Sequence, residues 1–140
     1  MTVPSYAFYQ GEIKPYDQAK VGLLTHALNY GTGAFAGVRG YWNEDEKQLF
    51  VFRPEDHFIR LLNSAKLLRM EFDYTPQDLM GHLKALLQKE NLKEDIYIRP
   101  LIFMADEAIG VKLHGLHAEL AMMAIPFGRY VSNDTNAHVT

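Results

Sequence analysis

Apolar and polar positions change their spacing several times along the chain, and each change marks an element. Tyr6, Phe8 and Tyr9 form an aromatic run, Gln10 and Gly11 interrupt it, and Glu12-Ile13 resumes, which predicts a short hairpin. Residues 24–30 predict a short helix closed by Gly31, a residue suited to a left-handed cap. Residues 34–42 and 49–52 are two β-type runs separated by the polar stretch 43–47, and they predict a second hairpin. Pro54 suits a first helical turn. From there Phe58, Leu61, Leu62, Ala65 and Leu68 recur at helical spacing, one apolar stripe on a helix running to about Met70. Thr75, Pro76 and Asp78 read as the capped start of another helix, with Leu79, Leu83, Leu86 and Leu87 as its stripe and Asn91 as its end. Residues 96–104 and 119–127 are β-rich, and residues 105–117 between them are irregular. Strands, then helices, then strands predict an α+β domain, a mostly antiparallel sheet with helices packed on one side.

Residues 128–138 are rich in Ser, Asn, Asp and Thr and read as a linker. Val139-Thr140 reads as the first residues of another strand, so the expectation is one domain over 1–127, a linker over 128–138, and the beginning of a further domain at 139–140. A chain that stops in mid-element is expected to be a fragment.

Composition narrows the class. With 140 residues and 48% hydrophobic content the chain is long enough for one packed core without disulfides. The absence of cysteine excludes a thiolate nucleophile and any cysteine zinc site. A formal net charge of −3 gives no overall attraction to nucleic acid or to an anionic membrane. The longest apolar stretch, 120–128, is too short to span a bilayer and contains a proline. The N-terminus lacks the basic head and apolar stretch of a signal peptide, and a cytoplasmic location is expected.

Chemistry concentrates on the strands. Period-two geometry places Phe35, Gly37, Arg39 and Tyr41 on one face of their run, and Tyr97, Arg99, Leu101 and Phe103 on one face of theirs. An arginine in mid-strand is costly to bury without a partner. Either it pairs with an internal acid, or its fork grips the carboxylate or phosphate of a ligand. Gly37 permits close approach of a ligand or of another backbone. Arg60 lies near the edge of the first helix stripe, where it serves a phosphate or simply meets solvent, and Arg53 and Arg69 share that ambiguity. His26, with Thr25 and Asn29, forms a polar cluster that is structural as easily as functional. His57 reads as a surface residue, and His114 and His117 lack the spacing of a metal motif. No phosphate loop, dinucleotide fingerprint or nucleophile elbow occurs. The residues alone yield an anion-binding β face and no catalytic set.

Three segments carry a resemblance. His26-Ala-Leu-Asn-Tyr30-Gly31-Thr-Gly33-Ala-Phe35-Ala-Gly37-Val-Arg39 resembles the branched-chain aminotransferase segment that ends in F-x-G-[IV]-R. Phe52-Arg53, His57-Phe-Ile-Arg60-Leu61 and Ser64-Ala65-Lys66 resemble the H-x-x-R-L…S-A-K helix of those enzymes. Tyr97-Ile-Arg99-Pro100 resembles their Y-I-R-P strand. The chain is thus similar to the smaller N-terminal domain of the fold type IV pyridoxal 5'-phosphate (PLP) enzymes.

The resemblance implies a function shared with a larger second domain, which supplies the Schiff-base lysine, the carboxylate facing the pyridine nitrogen and most of the phosphate cup. None of the eight lysines here matches the Schiff-base position, so no catalytic residue is assigned, and the isolated chain is expected to be inactive and not to hold the cofactor alone. By resemblance Arg60 contacts the cofactor phosphate. Phe35, Gly37, Tyr97 and Tyr130 line the pocket for a branched side chain. Arg99 helps to fix the substrate carboxylate through the polar network around Tyr97, and Arg39 is a second candidate for that region. Tyr30 and Val111 correspond to positions that reach the active site of a neighbouring subunit. Ala36 stands where many relatives have Glu, and Phe127 where some have Trp. The implied reaction is amino-group transfer between L-Leu, L-Ile or L-Val and 2-oxoglutarate, in a homodimer or higher oligomer, with neither nucleic acid nor membrane as partner. The alternatives are a D-amino-acid aminotransferase or aminodeoxychorismate lyase of the same fold type, or a free-standing anion- or protein-binding domain without catalysis.

Overall fold

The computed structural model describes residues 3–127. Its elements in chain order are β1 (Tyr6–Tyr9), β2 (Glu12–Pro15), a 3₁₀ turn (Tyr16–Gln18), α1 (His26–Tyr30), β3 (Gly33–Phe35), β4 (Val38–Asn43), β5 (Gln48–Val51), α2 (Pro54–Leu67), α3 (Pro76–Glu90), β6 (Ile96–Met104) and β7 (Ala118–Pro126). The strands form one seven-stranded sheet in the order β2-β1-β7-β6-β4-β5, with β3 also on β6. Every pairing is antiparallel.

Local chemistry explains several boundaries. Gln10 and Gly11 both take positive φ, as a two-residue hairpin turn between right-twisted strands requires. Thr75 and Asp78 make a reciprocal capping box, with Pro76 opening α3, and Asn91 closes the helix in the left-handed conformation. The α1 helix is shorter than the expected 24–30 and ends on left-handed Gly31. The expected strand 119–127 is shifted one residue towards the N-terminus, to Ala118–Pro126.

Two other expectations are corrected. The run 34–42 is not one strand but β3 and β4. The break lies opposite Pro100, which has no N–H to donate: Ala36 N–H reaches the Pro100 carbonyl at 3.0 Å, and the return bond is impossible. Register is kept across the break, since Phe35 pairs with Leu101 and Val38 with Ile98. The first long helix ends at Leu67 rather than near Met70. Arg69 turns left-handed, and Met70 N–H bonds back to the Ala65 carbonyl at 3.0 Å, which folds Met70 inward and leaves Leu68 at the exposed cap.

Helices α2 and α3 cover one sheet face. Phe58, Leu61 and Ala65 from α2, and Leu79, Leu83 and Leu86 from α3, pack on Val38, Ile96, Ile98, Ile102, Leu120 and Met122. The sheet residues of that core are even-numbered along β4, β6 and β7. The odd-numbered positions therefore point to the opposite face, which α2 and α3 leave uncovered, although Tyr9 and Phe103 on it are buried. Residues 105–117 are tied down rather than loose. Thr25 bridges to Glu107, His26 N–H donates to the Asp106 carbonyl at 2.8 Å, and Ala105 N–H donates to the His117 carbonyl at 3.0 Å.

Among the described residues no helix is long and apolar enough to cross a membrane. The expected linker 128–138, the residues 139–140 and Tyr130 lie outside the described residues.

Candidate functional site

Cross-strand partners share a face, so the register decides which side chains meet. Arg39 pairs with Tyr97, Tyr97 with Ile125, Arg99 with Met123, and Phe35 with Leu101. All of these point to the uncovered face. Arg39, Tyr97, Arg99, Leu101, Met123, Ile125 and Phe127 line an open hollow of about 700 Å³ there. Its floor is aliphatic and its walls carry two guanidinium groups.

Neither Arg39 nor Arg99 makes an ion pair among the described residues. The reading of a structural arginine neutralised by an internal acid therefore finds no support in this face. Aromatic rings hold both groups instead. Arg99 Nε donates to the Tyr97 hydroxyl at 2.9 Å, and its guanidinium carbon lies 4.2 Å from the centre of the Phe35 ring. The Arg39 guanidinium lies over Phe127 at 5.2 Å and near Tyr41 at 5.8 Å. Tyr97 and Phe127 tilt against each other at 5.4 Å. A guanidinium packed on a ring keeps its charge and its remaining N–H donors for a ligand anion.

Gly37 sits where the hollow meets the β3–β4 break. A β-carbon at this position would lie 2.7 Å from the Tyr97 hydroxyl and 2.9 Å from its ring. The glycine gives the phenol room to reach Arg99. Further along the same face, burial first and the Glu119 carboxylate second push the Tyr9 phenol above its ordinary value, so it stays a neutral O–H.

Arg60 does not line this hollow. It stands on α2 beside a separate, smaller one of about 280 Å³, with Phe52, Arg53, Asp56 and His57. Arg53 is engaged there with Asp56 at 2.7 Å, whereas Arg60 has only a 3.4 Å contact with His57 Nδ1. Arg60 thus retains a guanidinium with no acidic partner among the described residues. The backbone links the two hollows, because Phe52 N–H donates to the Arg39 carbonyl at 2.9 Å.

Tyr30 and Val111 lie apart from both hollows. They come together with each other: the Tyr30 hydroxyl accepts the Gly110 N–H at 2.8 Å, and Val111, next in sequence, is 80% exposed. His26, ambiguous in the sequence, is buried and bonds through both ring nitrogens. The sequence placed Leu101 on the face of Tyr97 and Arg99 without a role, and it did not single out Met123 or Ile125. Their signal was the odd-numbered alternation of β6 and β7, which needs the register before it names a shared wall. No lysine lines either hollow, and among the described residues no group of three or more His, Cys, Asp or Glu could hold a metal ion.

Residues 34–139 match the family model for amino-transferase class IV. A probable branched-chain-amino-acid aminotransferase of Aquifex aeolicus is 39% identical over 126 residues, which is 90% of this chain and 40% of that protein. The chain therefore spans about 40% of the length of the curated relatives it matches. Among solved structures, branched-chain aminotransferase of Thermoproteus uzoniensis with norvaline superposes at a TM-score of 0.87 with 38% identity, over 93% of this chain and 43% of that one. The branched-chain amino acid aminotransferase of Thermobaculum terrenum in its PLP form superposes at 0.81 with 30% identity, over 90% of this chain and 41% of that one. With the family model matched across most of its length, this chain belongs to the amino-transferase class IV family.

Proposed function

We propose that these residues form the substrate-pocket domain of a branched-chain-amino-acid transaminase, which exchanges an amino group between L-Leu, L-Ile or L-Val and 2-oxoglutarate. The observation that carries the reading is the Tyr97–Arg99–Phe35 cluster at the edge of an aliphatic hollow. One site must take both an apolar branched side chain and the distal carboxylate of 2-oxoglutarate. Leu101, Met123 and Ile125 offer the apolar wall, and Arg99 and Arg39 offer donors at its rim.

The residues fit PLP at its phosphate end. Arg60 has no competing acid among the described residues, while its neighbour Arg53 is already engaged. They do not offer a covalent anchor, since none of the eight lysines lines a hollow that also holds one of the site residues. When bound, PLP supplies the electron sink that amino-group transfer needs. This chain's part is orientation. The Tyr97 hydroxyl, held by Arg99 Nε, fixes one donor towards a substrate carboxylate. Phe35 keeps the Arg99 plane in place, and the aliphatic floor offers the substrate side chain an apolar contact. A second domain that follows a linker at 128–138 is proposed to supply the lysine.

The test is a substrate panel on the full-length protein that carries these residues. The expected outcome is turnover of L-Leu, L-Ile and L-Val with 2-oxoglutarate, and little with D-Ala or aminodeoxychorismate. Turnover of D-Ala without L-Leu would overturn the reading. The 140-residue chain alone is expected to show neither turnover nor cofactor absorbance in the visible region.

A further inference from the structure

His26 is 1% exposed, yet it contacts nothing in either hollow. Its Nε2 lies 2.7 Å from the Gly110 carbonyl, and its Nδ1 lies 2.8 Å from the Thr32 hydroxyl. A carbonyl only accepts, so Nε2 carries the proton, and in the neutral ring Nδ1 accepts from Thr32. One helical turn further on, the Tyr30 ring packs on the His26 ring at 4.6 Å, and the Tyr30 hydroxyl accepts the Gly110 N–H at 2.8 Å. Both polar groups of one residue, Gly110, are thus held by two side chains of α1.

Gly110 has a φ of +135°, in a region that L side chains rarely adopt, and a β-carbon there would meet nothing within 4 Å. Its glycine serves the backbone conformation and not packing. The clamp is itself anchored to the sheet, because Met104 N–H donates to the Thr32 carbonyl at 3.0 Å. The path runs from the end of β6 through Thr32 and His26 to Gly110, and ends at exposed Val111.

We propose that His26 is a positioning residue: it fixes the Gly110–Val111 turn against Tyr30, so that Tyr30 and Val111 are presented as one rigid unit to a substrate bound in a neighbouring copy. The presentation to substrate rests on the transaminase reading; the clamp does not. The turn would otherwise be a poor presenter. It carries a glycine, which has the most backbone freedom to lose, and an exposed side chain, and local opening there needs only the loss of these few bonds.

The experiment uses the full-length protein with three variants. His26→Leu keeps a buried apolar side chain and removes both bonds. His26→Gln retains an N–H near the Nε2 position. Tyr30→Phe removes only the hydroxyl. In His26→Leu, amide exchange of 107–113 is expected to accelerate about tenfold, with α2, α3 and β6 unchanged. The KM for L-Leu is expected to rise about tenfold while kcat holds within about twofold. His26→Gln should recover most of both effects. Tyr30→Phe should move both the same way, and its combination with His26→Leu should be less than additive, because both act through Gly110.

Unchanged exchange at 107–113 in His26→Leu, or exchange that rises uniformly across the fold, overturns the clamp. Selective exchange with an unchanged KM overturns the presentation. Should His26→Leu fail to fold, His26→Gln and Tyr30→Phe carry the same readouts, and additive effects there overturn the coupling. Should the wild-type protein transaminate no substrate, the transaminase reading fails, while the exchange measurement still decides the clamp.

Discussion

Arg99 is ordered before any ligand arrives. One N–H is committed to the Tyr97 hydroxyl and one face to Phe35, which removes much of the rotamer freedom that a free arginine would lose on binding. Replacing it with lysine keeps the charge and discards the planar fork and the ring stacking. For Arg99→Lys the KM for 2-oxoglutarate in the full-length protein is therefore expected to rise about tenfold or more. Gly37→Ala attacks the same arrangement from behind, since its new methyl would overlap the Tyr97 phenol. The phenol lies on the uncovered face and can swing away. The expected result is weakened substrate binding, read as KM, with unfolding free energy changed by less than about 1 kcal/mol. A large stability loss with normal KM would show that the glycine serves packing. The alternation of the sequence put Tyr97 and Arg99 on one face of their run and Phe35 on one face of another, and the register joined them. The alternation did not reveal that aromatic rings, rather than an acid, accompany the guanidinium.

Helix α2 shows how far a periodic pattern can be trusted. Phe58, Leu61 and Ala65 repeat correctly and are buried, and Leu68 continues the spacing but is 44% exposed. The stripe ends because the left-handed turn at Arg69 redirects the chain. Leu61→Ala is expected to cost about 3 kcal/mol in urea unfolding, and Leu68→Ala less than about 1 kcal/mol. Equal losses would contradict the boundary. The start of α3 was equally local, since Thr75 and Asp78 sit three residues apart and cap each other. Strand β6 teaches the opposite lesson. Pro100 was visible in the sequence as part of a recognisable motif, yet its effect falls on the strand opposite, where it splits β3 from β4. A proline's missing donor acts on a partner that only the pairing identifies.

Among the described residues, the sheet has one face packed under α2 and α3 and the other open around Arg39, Tyr97 and Arg99, with Tyr9 and Phe103 buried further along it. Leu23, Leu28, Ile109 and Val111 add further exposed apolar side chains beside and on α1 and in the 105–117 segment. Apolar patches beyond a few hundred Å² favour association, so the isolated chain is expected to self-associate. A monodisperse monomer at high concentration in light scattering would contradict this. The 105–117 segment also carries an acid-sensitive tie. The His117 backbone N–H bonded to Asp106 is the main cause holding that carboxyl below its ordinary value, with the His117 ring adding to it. A depressed carboxylate stabilises the fold above its unfolded value and ceases to do so as pH falls through its folded value. The His117 amide resonance is therefore expected to titrate with a midpoint below the ordinary aspartate value, and not to titrate in Asp106→Asn. A midpoint above that value would overturn the assignment.

The α+β architecture, the hairpin at Gln10-Gly11, the capped start of α3 and the apolar faces of both long helices were all legible in the chain. Each follows from interactions within a few residues, where spacing and side-chain type suffice. Which arginines face a common hollow, where Met70 turns inward, and why a histidine is buried against Gly110 were not legible. The arginines and the histidine depend on register and on contacts between segments far apart in sequence, such as His26 with Gly110, 84 residues away. Pairwise chemistry at that distance is fixed by folding the sheet, and no local pattern encodes it.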